Sequence, residues 1–496
     1  MNPTAATLAL VKEALGAPND LLSKDLNKGI TQATGLIAYD LQAPALSMIP
    51  VITPLRNTIP RVRGAGGNAT NWMAVTGINT GKAGLGVSEG NRGAAVSTAV
   101  TQYTAPYSGI GLEDFVTFEA DDAAQGFQDV KATAALNLLR AVMIGEEAVI
   151  LGGNRSFALG TTPTPTLVAS AAGGTIGASV TVSVIAVALT PDGFNRSTLA
   201  GGLPAGAITK TNTDASVDTF GGGVAVKSAA ATVAVSAGVT NSVQAIVAAV
   251  PGAVAYAWYA NTAGVERLFA ITTINSVVIT SLPGASQLAS LLPGSDQSLN
   301  AMVFDGILTF AAKGATNGAY QGVLATGTAG TGTGFTSDGA GGVVEITTAL
   351  RSFWDNYRLS PDTLWCSAQE LVNITKKVIA NGGAPLVRFT QDVTAQHSGI
   401  TGGVLLDAIL NPITQTMVKL RIHPNLTPGT VLFTTSSIPY PMSGVGNVMQ
   451  IKTRREYYQI DWPLRSRKNE IGVYADELLQ VYATFSLGTI TNIGNV

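Results

Sequence analysis

The sequence predicts an α+β chain interrupted by an all-β sandwich. Three observations lead there. A proline-punctuated segment and a glycine-rich hairpin come before one long helix. Residues 160–290 then nearly lack charge and read as short strands between turns. After them helices and strands alternate. The 496 residues allow two or three domains.

Composition narrows the function. Charged residues are 12% of the chain, about half the roughly 25% of ordinary soluble proteins, and hydrophobic residues are 46%. A membrane protein is one explanation, but the most apolar run, 243–260, carries Gln244 and a central Pro251-Gly252. It is rich in alanine and falls short of the ~20 strongly apolar residues of a spanning helix. No membrane partner is therefore expected. No signal peptide is visible, because Lys12 and Glu13 interrupt the first apolar run. Composition leaves two readings open: a surface covered by copies of the same chain, or a Gly/Ala/Thr-rich bacterial surface protein. The net charge of -2 comes with no basic block, so no tight phosphate-binding face is expected. A protein that only encloses nucleic acid needs none. The single cysteine, Cys366, excludes an internal disulfide and suits a reducing cytoplasm.

The elements follow in order. Residues 1–45 read as an arm, with a helix after Asn2-Pro3 presenting Leu8, Val11 and Leu15, and a second over 20–28. Neither is long enough to be stable alone. Pro44, Pro50, Pro54 and Pro60 keep the next segment out of helix and out of a central strand. Such a segment gains most by lying across another subunit. Residues 72–76 and 96–104 read as hairpin strands, the second with alternating Val96, Thr98 and Val100. Between them Gly77, Gly81, Gly84, Gly86, Gly90 and Gly93 make a long loop, which usually has a job.

Residues 121–151 carry the strongest helix signal. Asp121 and Asp122 favour the N-terminus, and Phe127, Val130, Ala134, Leu138, Val142 and Val149 recur at helical spacing. About 30 residues would span roughly 45 Å. Gly152-Gly153 ends the helix, and Glu146-Glu147 reads as a solvated turn. In 160–290, Thr162-Pro163-Thr164-Pro165 leads in. Strands are expected at 180–187, 255–259 and 277–280, the first ended by a Thr190-Pro191-Asp192-Gly193 turn. This is the pattern of a β-sandwich of about a hundred residues, similar to immunoglobulin-like or fibronectin III modules. Residues 327–342 are low-complexity Gly/Thr and read as a mobile loop. Helices are expected at 344–357 and 367–380, with a buried strand at 361–366 between them.

Chemistry is sparse. Gly77-Ile-Asn-Thr-Gly81-Lys82-Ala83 misses the phosphate-loop pattern, having three residues between the glycines and Ala83 after the lysine. His397 and His423 have no metal-ligand spacing, and Cys366 has no neighbouring base, so it reads as buried and inert. No catalytic residue, cofactor site or metal site is predicted.

Several short runs resemble one family. The arm, hairpin and long helix occur in the order found in major capsid proteins of tailed bacteriophages with the HK97 fold. Phe304-Asp305-Gly306 resembles that family's lead into its axial domain. His423-Pro424-Asn-Leu-Thr-Pro-Gly429-Thr-Val-Leu432 resembles a recurrent capsid run. Arg454 to Trp462, Ile471 to Leu478 and Gly488 to Ile493 resemble its closing strands.

The resemblance implies an N-terminal arm (1–45), a strap and E-loop hairpin (46–110), and a peripheral domain with spine helix (111–159). The sandwich (160–290) is then an insertion projecting outward, before an axial domain (291–440) and closing peripheral strands (441–496). It further implies hexamers and pentamers of an icosahedral virion shell around double-stranded DNA, assembled in the host cytoplasm. A separate scaffolding protein, a portal and a decoration protein would be partners. Inter-subunit contacts would come from Pro50, Pro54, Arg56, Arg61, Arg63, Trp72, Lys82, Glu89 and Arg92. Some shells of this family join a hairpin lysine to an asparagine of a neighbour, for which Lys82 and Asn469 are the candidates here. The alternatives are a secreted surface or adhesin protein with an immunoglobulin-like module, and a tail-tube or baseplate component.

Overall fold

The structure, a computed structural model, describes residues 48–496 apart from 80, 126–127, 213–214, 381–389, 392–399, 402–405 and 442. The expected arm helices, Phe127 and His397 lie outside the described residues. The chain divides into two units, residues 1–50 with 119–130, and 51–118 with 131–496. In the first, residues 48–50 lie outside helix and strand, and 119–123 belong to the short helix Phe118–Ala123. Among the described residues the second unit carries every sheet. No described helix is long and apolar enough to cross a membrane.

The proline segment is not wholly extended. Pro54–Thr58 forms one helical turn with Pro54 at its start, where a missing N–H costs nothing. Ile59, placed before Pro60, is driven to extended geometry and ends the turn. Arg61–Arg63 then pairs in parallel with Met449–Asp461. The hairpin consists of Ala69–Ile78 and Thr98–Pro106, with Trp72 opposite Tyr103 and a bulge after Val75. Among the described residues it is a two-stranded ribbon joined to no other strand. Ser108–Thr117 completes a four-stranded sheet by pairing with Lys468–Val481.

The expected helix over 121–151 is shorter and starts later. A short helix, Phe118–Ala123, is followed by the long one, Val130–Gly152. Its 23 residues span about 34 Å. Asp121 serves the first turn of the short helix rather than the long one. Glu119 and Asp121 meet the macrodipole of the short helix, and the first turn of the long helix has no acidic residue. The long helix ends against the Asp305-Gly306 run. Gly306 N donates to Gly153 O at 2.7 Å, and Asp305 Oδ1 accepts from Arg155 N and Ser156 N. A Cβ on Gly306 would lie 2.6 Å from Val149 O, so this close approach requires glycine.

A six-stranded mixed sheet runs in the order Tyr320–Val323, Gly488–Thr491, Val431–Thr434, Thr363–Cys366, Thr416–Ile422, Ala408–Asn411. Val344–Tyr357 and Ala368–Ala380 are helices, as their spacing predicts. Leu364, Cys366, Val418, Leu420, Val431 and Phe433 share one core with Ile346, Leu350 and Phe353 of the first helix. Glu370 is buried at the start of the second helix, where its amide meets Ser367 Oγ and its Oε1 accepts from Gly429 N at 2.8 Å. Gly429 has φ +81°, which accounts for the glycine of the His423–Gly429 run.

Besides a two-stranded ribbon of Ile208–Thr211 and Val217–Phe220, residues 160–290 form two larger antiparallel sheets. One contains Ser276–Ile279, Ser242–Ile246 and Thr166–Ser170, the other Arg267–Thr272, Ala255–Asn261, Thr181–Leu189 and Ala231–Ala234. Val182, Val184, Ala186, Tyr256 and Trp258 pack against Val243, Ala245, Val277 and Ile279 of the facing sheet. The opposite faces of the same two strands are also buried. Ile185, Val187, Leu189, Ala257 and Tyr259 pack under Leu203, Ala289 and Leu292. Burial on both sides explains why residues 184–189 are continuously apolar rather than alternating. The expected turn at 190–193 is instead the helix Pro191–Arg196, whose N-cap Thr190 accepts from Gly193 N.

The two sheets are fastened at both ends. At the neck, Asn154 Nδ2 donates to Ser298 O, Asn300 N to Asn154 O, and Gly160 N to Asp296 Oδ2. At the far side, Asn275 N donates to Asn492 Oδ1 and Asn275 Nδ2 to Thr326 Oγ1, while Asn492 Nδ2 donates to Leu324 O. Residues 327–342, expected as a mobile loop, place Phe335 in the core at 2% exposure. They also carry bridges from Thr328 to Gly332 and from Ser337 to Val343.

Asn492 is held at φ +63°. Asn492→Ala loses two buried hydrogen bonds and meets the left-handed penalty, so it should cost about 2–4 kcal/mol. Asn492→Gly should recover about 1 kcal/mol of that. Urea unfolding midpoints check both; equal midpoints for the alanine variant and the parent would refute the fastening.

Candidate functional site

Two adjacent carboxylates of the long helix organise the chain around it. Glu146 and Glu147 were expected in solvent but are 1% and 0% exposed. The reason lies in the helical register. Leu138, Val142, Glu146 and Ile150 recur every four residues and all are buried, so Glu146 sits on the apolar stripe.

Each carboxylate has its own partners. Glu147 Oε1 accepts from Leu55 N at 2.8 Å, and its Oε2 accepts from Arg56 N at 2.8 Å. It therefore caps the Pro54–Thr58 turn in place of Thr53, which makes no side-chain cap. His423 Nε2 meets Glu147 Oε1 at 2.7 Å. Because His423 Nδ1 accepts from Asn425 N, Nε2 carries the proton and donates to Glu147. His423, which looked partnerless in the sequence, is thus bonded on both nitrogens. Glu146 binds Arg56 Nε at 2.9 Å, Arg61 Nη1 and the Tyr457 hydroxyl. Arg61 Nη2 reaches Glu477 Oε2 at 2.5 Å. Both guanidinium carbons lie over the Tyr457 ring, at 5.2 Å for Arg56 and 5.0 Å for Arg61.

The charges are unequal in comfort. Burial pushes the Glu477 carboxyl up to about 8; repulsion from Glu146 adds to this and Arg61 opposes it. Among the described residues Glu477 Oε1 has no hydrogen-bond partner, which agrees with a carboxyl that resists ionisation. Burial alone would lower the Arg61 pKa, but Glu477 and Glu146 together raise it. Elsewhere, burial pushes the Cys366 thiol up to about 12 with help from Glu370, the setting of an inert thiol. No group of three His, Cys, Asp or Glu side chains among the described residues is placed to hold a metal.

The second feature is the hairpin. Met73, Val75, Ile78 and Val100 are 55–74% exposed, and Leu85 in the loop is 96% exposed. Val75 and Val100 are direct cross-strand partners, so the apolar side chains share a face. At the root, Trp72 stacks on Tyr103 at 5.7 Å and meets Tyr482 edge-on at 6.1 Å.

The nine expected contact residues separate accordingly. Arg56 and Arg61 are brought together by Glu146. Pro54 opens the short turn, and Trp72 roots the hairpin. Pro50, Arg63, Lys82, Glu89 and Arg92 are exposed. Asn469 is half-buried on the strand Lys468–Val481, and its Nδ2 has no partner among the described residues. Sequence reasoning missed Glu146, Glu147, His423, Tyr457 and Glu477 as one cluster. The four-residue spacing through Glu146 was the available signal.

No family model matches the chain, and no curated protein matches it. Among solved structures the chain is similar to the capsid of the native GTA particle, at 8% identity and a TM-score of 0.42, over 93% of this chain and 97% of that one. It is similar to the holo-SrpI encapsulin complex from Synechococcus elongatus, at 9% identity and a TM-score of 0.37, over 97% of each chain. It is also similar to the capsid of the Myoviridae phage XM1, at 8% identity and a TM-score of 0.39, over 94% of this chain and 99% of that one.

Glu147→Ala strands two backbone donors and a histidine, and should destabilise the chain by about 3–5 kcal/mol in chemical unfolding. Loss of under 1 kcal/mol would show that the cap is dispensable. Glu477 binds its proton more tightly folded than unfolded, so its contribution to stability falls as pH rises from 4.5 to about 8. Glu477→Gln should flatten this part of the melting-temperature profile; an unchanged slope would exclude the group.

Proposed function

We propose that the chain is the major capsid protein of a tailed-phage-type shell, with the HK97 fold. Its copies form hexamers and pentamers that close an icosahedral particle around double-stranded DNA. The observation that carries this reading is the hairpin. A two-stranded ribbon with an exposed apolar face and a long loop is unstable in isolation and asks for a covering surface. Copies of the chain supply that surface in a shell, where every subunit gives one hairpin and receives another. The low charge of the chain fits the same arrangement. The order of arm, hairpin, helix and closing strands supports it independently.

In this reading Pro50, Pro54 and Arg63 belong to the strap laid on a neighbour, and Lys82, Glu89 and Arg92 to the loop that reaches across. Arg56 and Arg61 hold the strap's root. The two-sheet unit is an immunoglobulin-like insertion at the outer face. The short neck between Asn154 and Ser298 supports insertion, because chain entering and leaving at one point can be added without disturbing the body. The shell is a virion component built in the host cytoplasm with a separate scaffolding protein and a portal, and the outer module offers a seat for a decoration protein. The role is structural, with no reaction assigned to any residue.

Deleting residues 78–92 should leave a folded chain that no longer assembles, as seen by circular dichroism and electron microscopy. Normal shells from that deletion would sink the reading. A stable open lattice or a monomer from the parent chain, with or without a scaffold, would favour a surface protein instead. Particles that run as intact monomers on denaturing gels would exclude a Lys82–Asn469 bond between subunits.

A further inference from the structure

A groove of about 500 Å³ lies at the root of the hairpin. That is the size of a small-molecule site. Its walls come from two places. Trp72, Tyr103 and Pro106 belong to the hairpin strands and Phe310 to the body, and all four keep part of their surface exposed. Leu479 and Val481, each 1% exposed, also line it. An occupant gains mainly by taking this apolar surface out of water.

Charge decides what kind of occupant. Three of the lining side chains are charged: Arg155, Asp305 and Lys313. Both oxygens of Asp305 are taken. Its Oδ1 accepts from Arg155 N at 2.8 Å and from Ser156 N at 3.0 Å. Its Oδ2 accepts from the Lys313 ammonium at 2.9 Å and from the Ser156 hydroxyl. The Arg155 guanidinium is left with neutral partners. Its Nη1 donates to Ala301 O at 2.7 Å and to Ser108 Oγ at 3.2 Å. Among the described residues its Nε and Nη2 donate to nothing, and neither nitrogen is sealed from solvent. The groove thus sets one uncompensated positive charge beside an apolar surface. Nε and Nη2 share one edge of the guanidinium, the edge that grips both oxygens of a carboxylate.

We propose that the groove binds an amphipathic carboxylate of the fatty-acid class, its chain against Trp72, Tyr103 and Phe310 and its head on Arg155 Nε and Nη2. The occupant joins the hairpin to the body, since the walls belong to both. The site does not require the shell reading, because a single copy holds all of it.

The test titrates decanoate onto the unassembled full chain by isothermal titration calorimetry, with 1-decanol and decylammonium as head-group controls. One saturable site is expected for decanoate, about 10- to 100-fold tighter than for either control. Arg155→Gln should bind decanoate and decanol alike, and Arg155→Lys should recover part of the preference. Thr316 lines the groove from an exposed position. Thr316→Trp fills the groove, leaves Arg155 in place, and should weaken decanoate about 10-fold or more. Absence of saturable decanoate binding to the parent chain would overturn the site. So would equal affinity for decanoate and decanol, or full decanoate affinity in Thr316→Trp. None of these three outcomes needs an Arg155 variant, so the test stands if that variant fails to fold.

Discussion

Two adjacent carboxylates buried in the middle of a helix constrain this protein more than any other feature. An ionised carboxylate placed away from water is tolerated only when every oxygen is answered. Glu147 is answered by two backbone amides of the Pro54–Thr58 turn and by His423. Glu146 is answered by Arg56, Arg61 and Tyr457. The strap, the strand Arg61–Arg63, the His423 turn and the two closing strands therefore meet at one point on the helix. Apolar packing alone would let these segments slide. Fixed hydrogen bonds allow a single register, and the strap's first turn owes its cap to a residue ninety-two positions away.

The surface follows from composition rather than from this cluster. Lys, Arg, Asp and Glu are only 12% of the chain, so glycine, threonine, alanine and isolated aliphatic side chains take up much of the exterior. Such a surface is weakly hydrated and offers little electrostatic repulsion to a copy of itself. The hairpin, rooted by Trp72 on Tyr103 and Tyr482, presents Met73, Val75, Ile78 and Val100 on one exposed face. The two-sheet unit is the opposite case. Asn275 and Asn492 fasten it to the sheet that carries Gly488–Thr491, so it is built into the body rather than hung from a flexible tether.

Much of the fold was legible in the residues. The helix Val344–Tyr357 shows a clear amphipathic period, and its bounds match the expectation. The hairpin strands were marked by alternation and by the glycines between them, and a buried strand was expected up to Cys366. The strands Met449–Asp461 and Lys468–Val481 were legible only through the family resemblance. The failures have physical causes. Five residues are too few to show a helical period, and Pro54 reads as a breaker until it is seen at a first turn. Thr190-Pro191-Asp192-Gly193 spells both a turn and a capped helix start, and local sequence does not separate them. Glu146 and Glu147 were read as solvated because their partners lie between 85 and 311 residues away. The glycines of the Asp305-Gly306 and His423–Gly429 runs could be noticed, but only the backbone distances explain them.

The long reach of the carboxylate cluster sets an order in time. Glu477 follows Arg61 by 416 residues and His423 follows Glu147 by 276. At roughly 5–20 residues per second, the ribosome delivers Glu477 about 20–80 s after Arg61. During that interval Glu146 and Glu147 already have Arg56, Arg61 and the amides of the Pro54–Thr58 turn, while Glu147 still lacks His423 and Arg61 still lacks Glu477. The cluster is therefore complete only once the chain has been translated through Lys468–Val481, and a product that stops short of it keeps the capped turn but leaves Arg61 without its second carboxylate.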